Sequence, residues 1–177
     1  PLKEESLLSG HLEPTNEAYA IAKIAGIKLC QYYRKQYNCD FISAMPTNLY
    51  GINDNFDLET SHLLPALIRK FHEGKENQSQ TVEIWGTGKP KRELLFVDDL
   101  ANAALFLMNN YSEESHINVG TGEDIEINAL ANQVKEIIGF KGQIVHNTSK
   151  PDGTPRKVMD VSKIKNLGWS PKVQLEE

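Results

Sequence analysis

The sequence predicts an α/β chain. Stretches with helical apolar spacing alternate with short β-type runs from one end to the other, proline and glycine punctuate the changeovers, and no internal repeat or low-complexity tract interrupts the order. The first helix is predicted from Thr15-Asn16-Glu17, which supply start residues. Ile21, Ile24, Ala25, Ile27, Leu29 and Tyr33 follow on one broad apolar face, and the helix runs to Tyr37. Asp40–Met45 reads as a short buried strand ended by Pro46, and Asn48–Asp57 as a turn-rich loop.

Leu64, Leu67, Ile68 and Phe71 recur at helical spacing within Leu63–Glu73, and Val82–Trp85 is a strand entering the turn Gly86-Thr87-Gly88. Arg92–Val97 is the next strand. Asp98-Asp99 then stand where a helix N-terminus favours negative charge, ahead of Leu100, Ala103, Ala104, Phe106, Leu107 and Met108. Ser115–Gly120 reads as a strand, Ile127–Ile138 as a helix, Gln143–His146 as a strand and Ser162–Leu167 as a short helix. Val173–Glu177 looks like the start of one more helix.

A length of 177 residues with 40% hydrophobic composition suits one core or two unequal lobes. A net charge of −5 without a basic cluster argues against a nucleic-acid or membrane-surface binder and leaves a small anionic ligand open. No run approaches the roughly 18 apolar residues that a membrane-spanning helix needs. Two cysteines, Cys30 and Cys39, fit a reduced cytoplasmic protein. Cys30 on the apolar side of its helix and Cys39 before a strand read as buried structural thiols.

Tyr19 and Lys23 lie four apart on the first helix and share a face. A free phenol titrates near pH ~10, and a neighbouring ammonium favours its ionised form, which suits a tyrosine to general acid chemistry near neutrality. Taken alone, the spacing is better read as a solvated helix pair. His62 in a loop can move a proton near neutral pH, although a lone loop histidine is more often merely solvated. Lys70, Trp85, Arg92 and the Lys150–Lys157 loop offer the cations, stacking surface and donors that a nucleoside diphosphate requires. The competing account of Trp85 is ordinary core or rim packing, and that of Arg92 a surface ion pair with Glu93 or Asp98; for both the ligand role is preferred. No residues are assigned to a metal.

Glu13–Lys23 followed by Met45-Pro46-Thr47-Asn48-Leu49-Tyr50-Gly51 resembles the extended short-chain dehydrogenase/reductases. Within that family the chain is similar to the GDP-L-fucose synthase branch, which epimerises and reduces GDP-4-keto-6-deoxy-D-mannose with NADPH. The matching stretches are Glu13–Cys30, Met45–Gly51, Asp54-Asn55-Phe56, Ser61-His62, Trp85–Gly88 with Arg92-Glu93, His116–Gly122 and Ser149–Lys157. The resemblance implies that Tyr19 exchanges a proton with the substrate oxygen and that Lys23 binds the nicotinamide ribose and tunes Tyr19. It further implies that Pro46, Thr47, Asn48 and Leu49 touch the nicotinamide end of NADP(H). By the same resemblance His62 is the epimerisation acid and a cofactor neighbour, with a cysteine upstream of Pro1 as its partner. Lys70, Trp85, Arg92 and Asp152 are then substrate contacts, Lys70 standing where relatives often carry arginine.

The implied architecture is the last part of a Rossmann-type parallel-sheet lobe, residues 1–51, joined to a smaller α/β substrate lobe, residues 52–177, some segments of which return to the first sheet. A homodimer through the Tyr19/Lys23 helix is also implied. The sequence contains no Gly-x-x-Gly-x-x-Gly turn, and Gly86-Thr87-Gly88 is followed by Pro90 and a strand, not by a helix. Opening on Pro1 in a loop-like run, the chain reads as the later portion of a longer protein whose first hundred or so residues hold the cofactor pyrophosphate. The rivals are another nucleotide-sugar reductase or 4-epimerase, which has no use for His62, and a non-catalytic nucleotide-sugar binding module, which needs none of Tyr19, Lys23 and His62.

Overall fold

Helix α1 (Glu17–Tyr37) begins behind the 3-10 turn Pro14–Asn16. It ends at Asn38, whose positive φ of 54° lets its N–H close on the Arg34 carbonyl, with Arg34 and Lys35 placed where the helix dipole favours cations. The structure, a computed structural model, describes residues 1–176 apart from the side chain of Thr15. The later helices are α2 (Leu63–Glu76), α3 (Val97–Asn110), α4 (Ile127–Ile138) and α5 (Ser162–Asn166). Strand β1 is Ala44–Pro46, β2 Asn48–Tyr50, β3 Thr81–Trp85, β4 Lys91–Arg92, β5 Leu94–Phe96, β6 Ile117–Val119, β7 Ile125–Glu126, β8 Gln143–Asn147 and β9 Arg156–Lys157.

The longer pairings are parallel: β1 with β6, β2 with β5 and β3 with β8, as expected where helices supply the crossovers. A small three-stranded sheet holds β4 between antiparallel β7 and parallel β9. Two apolar clusters fill the interior. One joins Leu64, Leu67 and Phe71 of α2 to Val82 and Ile84 of β3 and to Leu130, Ala131 and Val134 of α4. The other joins Leu95 of β5 and Ala103 and Leu107 of α3 to Ile117 and Val119 of β6 and Ile164 of α5, with Met45 and Leu49 packed against it. Each fully buried Leu or Phe contributes about 1.5–3 kcal/mol by leaving water.

Alternation of strand and helix is observed as expected, and α4 occupies the predicted residues. Its stop follows from Gly139, at φ 78°, whose N–H meets the Lys135 and Glu136 carbonyls. Several local expectations need correction. The Arg92–Val97 strand is two strands in different sheets with Glu93 between them, because β4 turns to β7 and β9 while β5 pairs with β2. The loop expected from Asn48 begins as β2, whose pairing to Leu94–Phe96 is long-range and leaves no local mark. Ser43 precedes β1, to which its carbonyl ties Ile117. Residues 171–176 form no helix, and Glu177 lies outside the described residues.

Helix α1 departs furthest from its predicted packing. None of its residues is buried, and Ile21, Leu29 and Tyr33 are 54%, 58% and 41% exposed. Ala20, Ile24, Ile27 and Gln31, at helical spacing, are half-buried, so the apolar face is only partly covered among the described residues. The last turn is tied down, Arg34 reaching Asp40, the Phe41 carbonyl and Ser112, and Lys35 reaching Glu114. Cys30 and Cys39 are accordingly half-buried free thiols, not core residues.

Candidate active site

Tyr19 is 60% exposed in the first turns of α1. The four-residue spacing brings the Lys23 Nζ to 5.3 Å from the centre of its ring, within cation–π range. Pro46 closes β1 and Leu49 lies in β2, so Thr47 and Asn48 stand at the joint between two parallel pairs. The Thr47 hydroxyl and the Asn48 side-chain amide both donate to the Glu93 carbonyl, at 3.4 and 2.9 Å. His62 is the exposed N-cap residue of α2. Its side chain makes no capping bond, and only its carbonyl is engaged, by the Ala66 N–H.

Trp85, at the carboxyl end of β3, is 57% exposed, so core packing does not account for it. Lys70 Nζ lies 5.4 Å and Lys150 Nζ 5.1 Å from its ring, placing two cations at one aromatic face system. Lys70 also donates to the Glu83 carbonyl at 3.1 Å, and its burial pulls its pKa down while Glu83 opposes the shift. Lys150 was not singled out in the sequence, since nothing in its loop fixes which side chain reaches Trp85.

The turn after Trp85 is bonded to that loop. Asp152 accepts the Thr87 N–H at 2.8 Å and the Thr87 hydroxyl at 2.7 Å. A Cβ on Gly86, which sits at φ +72°, would lie 2.3 Å from the same carboxylate, so only glycine gives both the turn and the contact. The Thr87 hydroxyl first, and its amide second, hold the Asp152 carboxyl below the usual aspartate value. A depressed native pKa contributes stability above the unfolded value that is lost as pH falls through the native one. Titration by NMR is therefore expected to move the Thr87 amide resonance with a midpoint below pH ~3.9, the ordinary aspartate value. A midpoint at or above that value would contradict the anchoring.

Arg92 donates to the carbonyls of Lys91 and Thr154, both at 2.7 Å, and so reaches the loop that carries Asp152. It makes no ion pair with Glu93 or Asp98. Burial lowers its pKa, yet a guanidinium remains charged. It lines a cleft of ≈ 450 Å³ shared with Tyr50, Asp124, Lys165, Val173 and Gln174. Asp124 is neutralised there by Arg156, and its own carboxyl is held low by that partner. The far wall is the carboxyl-terminal segment, gripped by buried Asp99 through the N–H groups of Lys172 and Val173, both at 3.0 Å. Asp99 was expected only as a helix-start charge, and its grip on distant chain is invisible to local pattern.

The predicted site residues thus fall into separate groups: Tyr19 with Lys23, Thr47 with Asn48, Lys70 with Trp85, and Arg92 with the Asp152 loop. His62 is bonded to none of them. Among the described residues no three His, Cys, Asp or Glu side chains are placed to hold a metal ion, and no helix is long and apolar enough to cross a membrane.

Parallel strand pairs with helical crossovers define an α/β fold of the Rossmann type. The chain belongs to the NAD dependent epimerase/dehydratase family, whose sequence profile matches residues 1–120. It is 62% identical over 177 residues to a protein named probable GDP-L-fucose synthase 1 of Oryza sativa subsp. japonica, covering 100% of this chain and 54% of that one. The crystal structure of a GDP-L-fucose synthetase from Naegleria fowleri bound to NADP superposes with a TM-score of 0.93 at 33% identity, covering 99% of this chain and 57% of that one. A GDP-mannoheptose C4 reductase from Campylobacter jejuni with NADP bound gives 0.87 at 40% identity, over 99% and 61%. The chain spans about half the length of the curated relatives it matches.

Proposed function

We propose that this chain supplies the catalytic tyrosine and the nucleotide-sugar site of an enzyme that, with NADPH, epimerises GDP-4-keto-6-deoxy-D-mannose and reduces it to GDP-L-fucose. The observation that carries the reading is the exposed Trp85, flanked by Lys70 and Lys150 and followed by the turn that Asp152 and Thr87 hold. An aromatic plate offers a base a stacking surface, and two ammonium groups beside it suit a diphosphate. The 62% identity to the rice protein over the whole chain supports the base and sugar that its name gives.

The residues present suit the nicotinamide end of a dinucleotide. Tyr19 is open to solvent with a cation on its ring, and Thr47 and Asn48 stand at the carboxyl end of a parallel strand with both side chains already oriented. When bound, NADPH supplies the hydride. In this reading the Tyr19 hydroxyl gives its proton to the oxygen on carbon 4, and the Lys23 ammonium lowers the cost of the phenolate left behind. His62 moves a proton at carbon 3 or 5, next to the ketone, a step in which an imidazole can serve as acid or base. Arg92 and Lys70 hold the diphosphate, and Pro46–Leu49 hold the nicotinamide end. We place residues 1–51 with the cofactor lobe and 52–177 mainly with the substrate lobe. The exposed apolar face of α1 is the surface we assign to a homodimer, and the reaction to the cytoplasm.

Calorimetric titration with GDP tests the reading. The full-length gene product is expected to bind GDP and NADPH, and Trp85→Ala to weaken GDP about tenfold or more while leaving NADPH alone, as the loss of base–aromatic stacking of roughly 1–3 kcal/mol implies. No binding of GDP by the unmodified protein would end the substrate assignment. The similarity to a GDP-mannoheptose C4 reductase favours a second reading, reduction at carbon 4 without epimerisation. The two differ only in the work assigned to His62.

A further inference from the structure

Glu93 is the single residue between β4 and β5, where the chain passes from the sheet that carries Arg92 to the strand paired with β2. It is 0% exposed. An isolated carboxylate in such a place is costly, so its partners disclose what it does. One carboxylate oxygen accepts the Met159 N–H at 2.8 Å; the other accepts the Gly122 N–H at 2.8 Å and the Thr121 hydroxyl at 3.4 Å. No cation is ion-paired with it among the described residues. Its backbone carbonyl receives the Asn48 amide and the Thr47 hydroxyl. Gly120 lies so close that a Cβ there would sit 2.2 Å from the carboxylate oxygen.

We infer that Glu93 is a positioning residue that fixes the dinucleotide side of the site relative to the nucleotide-sugar side. The inference rests on the function proposed above. Main-chain and side-chain bonds of this one residue join Thr47-Asn48, the Thr121-Gly122 loop and the segment beyond β9, while its neighbour Arg92 faces the cleft. A polar core residue serving stability alone would need to satisfy only itself. Glu93 instead spans the two places where ligands are expected, its main-chain carbonyl holding Thr47 and Asn48 and its carboxylate holding Thr121, Gly122 and Met159. Loosening it therefore weakens both ligands together.

Glu93→Gln keeps the shape but sets an amide NH₂ against either the Met159 or the Gly122 N–H. In the full-length gene product, calorimetry is expected to show NADPH and GDP each binding about tenfold more weakly, with the stoichiometry of the unmodified protein. A lowered melting temperature or stoichiometry with both dissociation constants unchanged would reduce Glu93 to a structural residue and overturn the inference. So would weakening of one ligand alone. If Glu93→Gln does not fold, Gly120→Ala, which displaces the carboxylate without removing it, is judged by the same outcomes. Should the unmodified protein bind NADPH and not GDP, the substrate assignment has failed separately. Glu93 is then decided by NMR: the Met159 N–H, bonded to the substituted side chain, shifts in the variant, and the Asn48 side-chain amide, bonded to the main-chain carbonyl that glutamine keeps, shifts with it if the residue couples the two sides and stands still if it does not.

Discussion

Replacing Tyr19 by phenylalanine is expected to lower turnover of the keto sugar by about two to four orders of magnitude, the range that a positioned general acid supplies. The substitution removes one oxygen and leaves the ring, so the Lys23 ammonium keeps the aromatic face it now lies over at 5.3 Å. Tyr19 is 60% exposed, and surface changes of this kind usually alter stability by less than ~0.5 kcal/mol. Lost activity would therefore not be lost fold. Because Tyr19 is not among the groups assigned to the diphosphate or the base, GDP should bind the variant as before, and the loss should fall on kcat. Steady-state NADPH oxidation by the full-length gene product, with GDP affinity measured beside it, separates the two. Unreduced turnover would remove the catalytic reading and leave a binding module.

The secondary structure was legible wherever one local period dominated. Leu130, Ala131 and Val134 repeat on one face of α4, and Gly139 supplies the αL stop, so both face and boundary can be read from neighbours in the chain. Strand β2 and the two-residue strands β7 and β9 were not legible. Asn48–Tyr50 and Arg156–Lys157 are extended because Leu94–Phe96 and Lys91-Arg92 lie beside them, and no local pattern records a partner more than forty residues away. Helix α1 shows the converse. Its pattern of Ile21, Ile24 and Ile27 specifies a helix correctly and says nothing of whether a covering layer is at hand.

The candidate site divides in the same way. Tyr19 and Lys23 sit within one helix, so their proximity follows from helix geometry. Residues joined across the fold could be nominated by chemistry and not brought together by it. Asp152 meets Thr87 over 65 residues of sequence, and the only local hint was glycine at 86, where a turn admits no side chain. Glu93 carries no such signal, because a glutamate beside an arginine reads as surface charge. Its burial depends on amides contributed by Gly122 and Met159, which carry no side-chain signature at all. Buried charges met by backbone donors are the class of functional residue that sequence chemistry is least able to nominate.

His62→Asn is expected to separate epimerisation from reduction. An asparagine keeps a polar side chain at the head of α2, where His62 is exposed and makes no capping bond, so the helix start should survive. What it cannot do is gain or lose a proton near pH 7. Incorporation of solvent deuterium at carbons 3 and 5 of the keto sugar should accordingly fall by about two to four orders of magnitude, the contribution of a positioned acid or base. Hydride transfer to an already epimerised keto sugar, which calls on Tyr19 and Lys23, should fall far less. Each alternative predicts a different pattern. A simple carbon-4 reductase would show no deuterium incorporation in the unmodified protein and little response to the substitution, whereas a His62 that only lines the cofactor would weaken NADPH binding and slow both steps alike. Mass spectrometry of the product formed in heavy water, read beside NADPH consumption, distinguishes these results within one preparation.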